Sequence, residues 1–216
     1  MNNRDRILEE ARRLMNEHGA QAIGTTQIAD ALNISPGNLY YHFKNKEEIV
    51  RVLFDGLEKG FRDVLIADID PPIGPARFAG FYLRAFEVVW EYRFIFGGLL
   101  YLLRRDEELS QRYQKMQAWA LENLEAIARQ VAEDGNMSKP RGRNGFRSVA
   151  LSTWLIWSNW IRHVQISSPD HAIVRADMGK GMSQLFDVLA PYLDPDFDRA
   201  ARRVLAREFT ASSTDG

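Results

Sequence analysis

Three observations predict an all-α fold for this chain. Apolar residues recur at intervals of three and four along most of its 216 positions. No stretch alternates apolar and polar residues in the way a half-buried strand requires. Prolines at 71, 72 and 75 cannot sit inside a helix and mark a connector between periodic segments.

The elements follow in order. Ile7, Leu8, Ala11, Leu14 and Met15 make one face of a first helix, and Gly19 supplies its stop. Thr25 is placed to cap a short second helix that buries Ile28, Ala29 and Leu32. A tight turn at Asn33-Ile34 leads to Ser35, a cap, and Pro36, at a first helical position where a missing N–H costs nothing. Asn45 with Glu48 three residues on resembles a capping box. It opens a long fourth helix whose stripe is Ile49, Val50, Leu53, Phe54, Leu57, Phe61, Val64 and Leu65. Asp68 to Pro75 carries three prolines and reads as a connector. Further helices are expected over Ala76–Tyr92, Arg93–Arg104 and Glu107–Glu133, then a polar loop over Asp134–Gly145. Helices over Phe146–Ile166 and Asp170–Leu193, split at Ser168-Pro169-Asp170, precede a last one over Pro195–Phe209.

Hydrophobic residues make up 45% and charged residues 26%, the balance of a globular chain able to bury a core. There is no cysteine, which excludes disulfides and cysteine-ligated metal and fits a reducing cytoplasm. No apolar run approaches the about 18 residues of a membrane span. The opening MNNRDRILEEARRLM reads as an amphipathic helix instead of a signal peptide, so a cytoplasmic location is expected. Net charge is −1, and the first 50 residues hold six basic and seven acidic side chains. Charge alone therefore gives no support for nucleic-acid binding; only the positions of particular residues can.

The short second and third helices, with the first behind them, have the parts of a helix-turn-helix. Leu39 and Phe43, four apart, anchor the third helix, leaving Pro36, Gly37, Asn38, Tyr40, Tyr41 and His42 to face outward. Small residues at its start allow close approach to DNA, Asn38 can read base edges, and hydroxyls can reach phosphates. N–H groups near Thr25 and Ser35 add phosphate sites that need no net charge, and Lys44 and Lys46 follow at once.

The run Gly24-Thr-Thr-Gln-Ile-Ala-Asp-Ala-Leu-Asn-Ile-Ser-Pro-Gly-Asn-Leu-Tyr-Tyr-His-Phe-Lys-Asn-Lys-Glu-Glu-Ile49 resembles the signature of TetR/AcrR-family transcriptional regulators, most specifically over Leu39–Lys46. The resemblance covers roughly residues 3 to 55. It implies that Thr25, Ser35, Tyr40, His42 and Lys46 hold phosphates, and that Thr26, Pro36, Gly37, Asn38 and Tyr41 lie at or near base edges. Gln27 and Lys44 join that DNA-facing set. The chain departs from the family at Asn33, where glycine is usual, and at Thr26, where some members carry arginine. The expected organisation is an N-terminal three-helix DNA-binding domain over residues 1–48, a larger helical ligand-binding and dimerisation domain over 49–209, and a flexible tail over 210–216.

Of the 24 aromatic residues, 21 follow residue 50. Large rings leave gaps unless their neighbours interlock. Candidates to line an effector pocket are Phe78, Phe81, Tyr82, Phe86, Phe96, Tyr101, Trp119, Trp154, Trp157 and Asn159. Set against this is the ordinary role of an aromatic stripe, which is to fill a core. Candidates for a subunit interface are Trp160, Met178, Met182, Leu185, Phe186 and Leu189, with Gly179 and Gly181 allowing close helix approach. The family layout implies a two-fold four-helix bundle, and hence a homodimer on double-stranded operator DNA, answering to a small apolar or weakly polar effector. No cofactor is expected. An enzyme is the main alternative, but His18, His42, His163 and His171 make no ligand or triad spacing and no Gly-rich phosphate loop is present. A ligand-free architectural protein and a membrane-surface protein are the others, the last lacking any basic amphipathic helix.

Overall fold

The computed structural model describes residues 2–66, 71–168 and 172–211, the side chains of 66 and 208–211 excepted. Among the described residues the chain forms eleven helices and no strand, with one isolated bridge between Met137 and Leu193.

Helices α1 (Asn3–His18), α2 (Thr25–Ala31), α3 (Pro36–His42) and α4 (Lys46–Ile66) follow the expected order. Asn2 caps α1 by accepting from the Asp5 N–H at 2.9 Å. The cap of α2 is Gly24 and not Thr25, which is itself the first helical residue. The Gln27 side chain takes the Gly24 N–H at 3.0 Å, so the hydroxyl of Thr25 is released for other use. Asn33 adopts φ 52°, a left-handed conformation that asparagine tolerates. Asn45 accepts from the Glu48 N–H at 2.9 Å, while the Glu48 carboxylate takes the N–H of Lys44 at 2.7 Å. The Asn45 cap is thus as expected, and only the return bond of the box falls one residue earlier.

α5 (Pro75–Glu91) begins one residue earlier than expected, with Pro75 in the first turn. The single helix expected over Arg93–Arg104 is two, α6 (Arg93–Gly97) and α7 (Leu99–Arg105), broken at Gly98. Adjacent glycines at 97 and 98 are poor helix formers. α8 (Glu107–Glu133) is capped by Asp106, whose carboxylate accepts from the Leu109 N–H at 3.0 Å and pairs with Arg51 at 2.7 Å. α9 (Gly145–Ser167) is as expected within a residue at each end.

α10 spans Arg175–Leu189, shorter than Asp170–Leu193. Val174 is extended, and the Asp177 side chain accepts its N–H at 3.1 Å, setting the start; Pro191, which has no N–H to donate, sets the end. α11 (Pro195–Ala211) runs two residues further than expected. Asp68–Asp70 of the connector, Pro169-Asp170, His171 and residues 212–216 of the tail lie outside the described residues.

The chain divides into two compact units. One comprises residues 1–59 and 91–116, with a core of Ile7, Ala11, Met15, Ile28, Leu39, Phe43, Ile49 and Phe54. α1 packs there on α2 and α6, and α2 on α3. The other comprises residues 60–90 and 117–216, with a core of Phe61, Phe78, Trp154, Trp157, Leu185 and Phe186, and with α10 packed on α9 and α11. No helix among the described residues is long and apolar enough to cross a membrane.

Candidate nucleic-acid interface

α3 is held by one edge and open on the other. Leu39 and Phe43 are essentially fully buried, whereas Pro36, Gly37, Asn38, Tyr40 and Tyr41 are exposed, Tyr41 to 85%. A protein core has no use for an 85% exposed tyrosine, so Tyr41 does not serve to fill one. Ser35 caps the helix by accepting from the Asn38 N–H at 3.2 Å, which fixes the backbone of Asn38 and leaves its side chain outside. The Tyr41 and His42 rings meet edge to face at 5.1 Å.

α2 presents the neighbouring edge. Thr26 and Gln27 are exposed, and Thr25 is half-buried. The Thr25 and Tyr40 hydroxyls lie 3.0 Å apart and tie the start of α2 to the middle of α3. Ten of the twelve expected DNA-facing residues therefore share one open surface or its rim. The remaining two are the lysines. Lys44 is exposed beyond the end of α3. Lys46 is half-buried: its ammonium donates to the Ala20 carbonyl and sits 5.5 Å above the Tyr101 ring, and burial holds its pKa below the ordinary lysine value. That lysine is occupied in joining α4 to the start of the α1–α2 turn.

A cation that sequence reasoning passed over stands beside α3. Arg4, exposed in the first turn of α1, lies 5.1 Å over the Phe43 ring at the end of α3. Its signal was present in the basic pair Arg4 and Arg6, but only the fold brings the first turn of α1 to that ring.

The family model described as "Bacterial regulatory proteins, tetR family" matches residues 7–53, and one described as "Bacterial transcriptional repressor" matches residues 64–200. The chain belongs to the TetR family. It is 36% identical over 91 residues to the HTH-type transcriptional repressor KstR2 of Mycobacterium tuberculosis (strain ATCC 25618 / H37Rv), covering 40% of this chain and 44% of that one. It is 45% identical over 49 residues to the HTH-type transcriptional regulator QacR of Staphylococcus aureus (strain Mu50 / ATCC 700699), covering 23% and 26%. The chain thus matches less than half the length of these curated relatives. Among solved structures, a TetR-family transcriptional regulator from Marinobacter aquaeolei VT8 has a TM-score of 0.83 and 31% identity, over 97% of this chain and 98% of that one. The ketosteroid transcriptional regulator KstR2 of Mycobacterium tuberculosis shares the fold, with a TM-score of 0.58 at 20% identity over 89% of this chain and 96% of that one.

In this TetR-family chain the expected pocket residues separate. Phe78, Phe81, Tyr82, Phe86, Trp154 and Trp157 are buried together in the second unit, with Trp157 5.7 Å from Tyr82 and 5.9 Å from Phe81. Burial pushes the Tyr82 phenol well above its ordinary pKa, and Thr153 is its hydrogen-bond partner. The indole N–H of Trp157 is buried with no acceptor among the described residues. Phe96 and Tyr101 belong to the first unit. Trp119 is half-buried under Arg62 at 5.1 Å, and Asn159 is exposed, donating to the Leu155 carbonyl at 3.0 Å.

The expected interface residues need correction. Met178, Met182, Leu185, Phe186 and Leu189 are buried in this chain's own core, and Phe186 meets Phe78 and Tyr82 edge to face. Trp160 lies over Gly181 and donates its indole N–H to the Asp177 carbonyl at 2.8 Å. α10 spends its apolar stripe on its own chain because α9 and α11 already cover it. Large apolar side chains left outside on α9 are Leu151, Leu155 and Ile166, with Val174 at the start of α10.

Proposed function

We propose that the chain is a DNA-binding transcriptional repressor of the cytoplasm that binds a palindromic operator as a homodimer and is released by a small apolar or weakly polar effector. The observation that carries this reading is the division of α3, with Leu39 and Phe43 sealed in the core while Asn38, Tyr40 and Tyr41 stand free. A helix so anchored can enter a major groove without disturbing its own packing. Thr26, Gln27, Gly37, Asn38 and Tyr41 take the base edges; Thr25, Ser35, Tyr40, His42, Lys44 and Arg4 take phosphates.

The homodimer is supported by the exposed stripe Leu151, Leu155 and Ile166 on α9. A two-fold axis there pairs two recognition helices, and a palindromic site follows from that symmetry. The effector site is supported by the aromatic cluster of the second unit, where the unmet N–H of Trp157 offers a donor to one polar group of an otherwise apolar ligand. α4 starts in one unit and ends in the other, and so gives ligand binding a continuous element through which to bias operator affinity. A coupling of about 1–3 kcal/mol is what such release requires.

The test is a salt series of binding to the intergenic DNA upstream of the chain's own gene, and, failing that, to duplexes selected from random sequence. Nanomolar-range binding with discrimination against random duplex is expected. Asn38→Ala lowers discrimination, while Lys44→Ala weakens all duplexes alike and makes the salt slope shallower by about one. Weak, unselective binding to both DNA sources would overturn the reading.

A further inference from the structure

The acidic and basic residues of this chain nearly balance, yet they are not evenly spread. No Asp or Glu stands between Asp134 and Asp170, and the stretch opens with Lys139, Arg141, Arg143 and Arg147. Lys139, Arg141, Gly142, Arg143 and Asn144 are all exposed. Among the described residues no carboxylate pairs with Lys139, Arg141 or Arg143; Arg147 alone approaches one, Glu125, at 3.9 Å.

This loop is anchored at its base. Ser138 donates its N–H to the Tyr192 carbonyl at 2.7 Å, and Asp194 donates to the Asn136 carbonyl at 2.9 Å. Met137, Pro140 and Phe146 are buried, and a Cβ on Gly145 would collide with the Pro140 carbonyl. The N–H of Gly145 closes a turn on the Gly142 carbonyl at 3.3 Å. Gly142, at φ 90°, has open space where a side chain would be. The result is a built projection: two arginines flank a bare glycine on a base that packing holds in place.

We propose that the loop Lys139–Asn144 is a second DNA contact, placing Arg141 and Arg143 in the minor groove of A·T-rich duplex. A narrow A·T minor groove concentrates negative potential and draws in arginine, and a glycine between the two stems lets the backbone approach the groove edge. The loop exposes no apolar side chain for insertion into a membrane interface. The inference relies on the DNA-binding reading only in taking duplex as the partner, since this loop shares no residue with α3.

The experiment uses the full chain with two operator-free duplexes of equal length, one A·T-rich and one G·C-rich, in a salt series. It compares the parent, Arg141→Ala/Arg143→Ala and Asn38→Ala/Tyr41→Ala, with melting curves to establish that each folds. The parent is expected to prefer the A·T duplex and to lose that preference to netropsin, a minor-groove competitor. The arginine variant is expected to lose the preference, with a salt slope shallower by about two, while the α3 variant keeps it. Equal binding of the A·T duplex by parent and arginine variant overturns the proposal. An equal loss on both duplexes also overturns it, leaving phosphate attraction without groove insertion. Failure of operator recognition in the parent, with the A·T preference intact, would instead count against the α3 reading alone.

Discussion

The hydroxyl of Tyr40 lies 3.0 Å from that of Thr25, so a residue in the middle of α3 is braced by the first residue of α2. The two positions that the family resemblance assigns to phosphates are thereby set relative to one another before DNA arrives. Tyr40→Phe removes the brace while keeping the ring. A net hydrogen bond of this kind contributes about 0.5–1.5 kcal/mol, and exposure places this one at the low end. The variant should melt within about 3 °C of the parent, yet bind operator and random duplex several-fold more weakly. A loss confined to operator would show that Tyr40 reads bases instead.

Asn33 is the turn residue that departs from the family's glycine, and its φ of 52° shows that the turn geometry is kept. Left-handed backbone costs a β-branched residue about 1–2 kcal/mol, because Cβ meets the following carbonyl. Asn33→Val should therefore lower the unfolding free energy by about 1–2 kcal/mol, seen as a lower denaturant midpoint at unchanged slope, and Asn33→Gly should leave the midpoint nearly unmoved. Equal midpoints for the two variants would mean that the turn relaxes to negative φ.

How far the sequence could be read depends on the range of the forces involved. Helix starts at Ser35 and Asn45, and the left-handed Asn33, follow from contacts within four residues, and they were legible. The cap of α2 was misplaced by one because Gly24 and Thr25 are both acceptable caps, and the choice rests on where the Gln27 side chain goes. Lys46 shows a longer-range limit. Its place after α3 suggests a phosphate ligand, but its ammonium is spent on the Ala20 carbonyl, 26 residues earlier. The stripe Met178, Met182, Leu185 and Leu189 was read correctly as apolar and wrongly as intersubunit, since periodicity states that a face is covered without naming the cover. Leu151 and Leu155 were hidden in a helix apolar on nearly every side.

Gly181 was noticed as a point of close helix approach, and the structure identifies what approaches. A Cβ there would stand 2.7 Å from Cδ1 and Nε1 of Trp160. Gly181→Ala must displace the indole and break its bond to the Asp177 carbonyl. Overpacking of this kind costs about 1–3 kcal/mol, read as a drop in Tm of about 2–10 °C. Gly181→Ala with Trp160→Phe, which shortens the ring system, should recover part of the loss. No change on the single substitution would mean that Trp160 has a second resting place.

The exposed α9 stripe gives the homodimer a direct test. Leu151→Arg with Leu155→Arg places two charges on a face that a two-fold partner must cover, so the variant should sediment as a monomer where the parent is dimeric. Both side chains are already outside, so far-ultraviolet circular dichroism should be unaltered. Loss of the linked second half-site should weaken operator binding by about a hundredfold or more. A variant that stays dimeric would move the interface to another face.

Asp177 supplies a test in pH. Its carboxylate is held below the ordinary aspartate range chiefly by the Lys180 ammonium at 2.9 Å, with partial burial opposing and the Val174 N–H at 3.1 Å assisting. A carboxyl whose pKa is lower in the folded than in the unfolded chain binds fewer protons when folded, so stability rises with pH through that interval. Its contribution is therefore fully present above the unfolded value of about 4 and is lost as pH falls through the folded one. Asp177→Asn cannot titrate and forfeits the charge-assisted bond to Lys180. In urea unfolding the variant should be less stable than the parent at pH 6, and the gap should close as pH falls below about 4. Parallel curves across that range would show that the carboxylate caps α10 without its charge contributing.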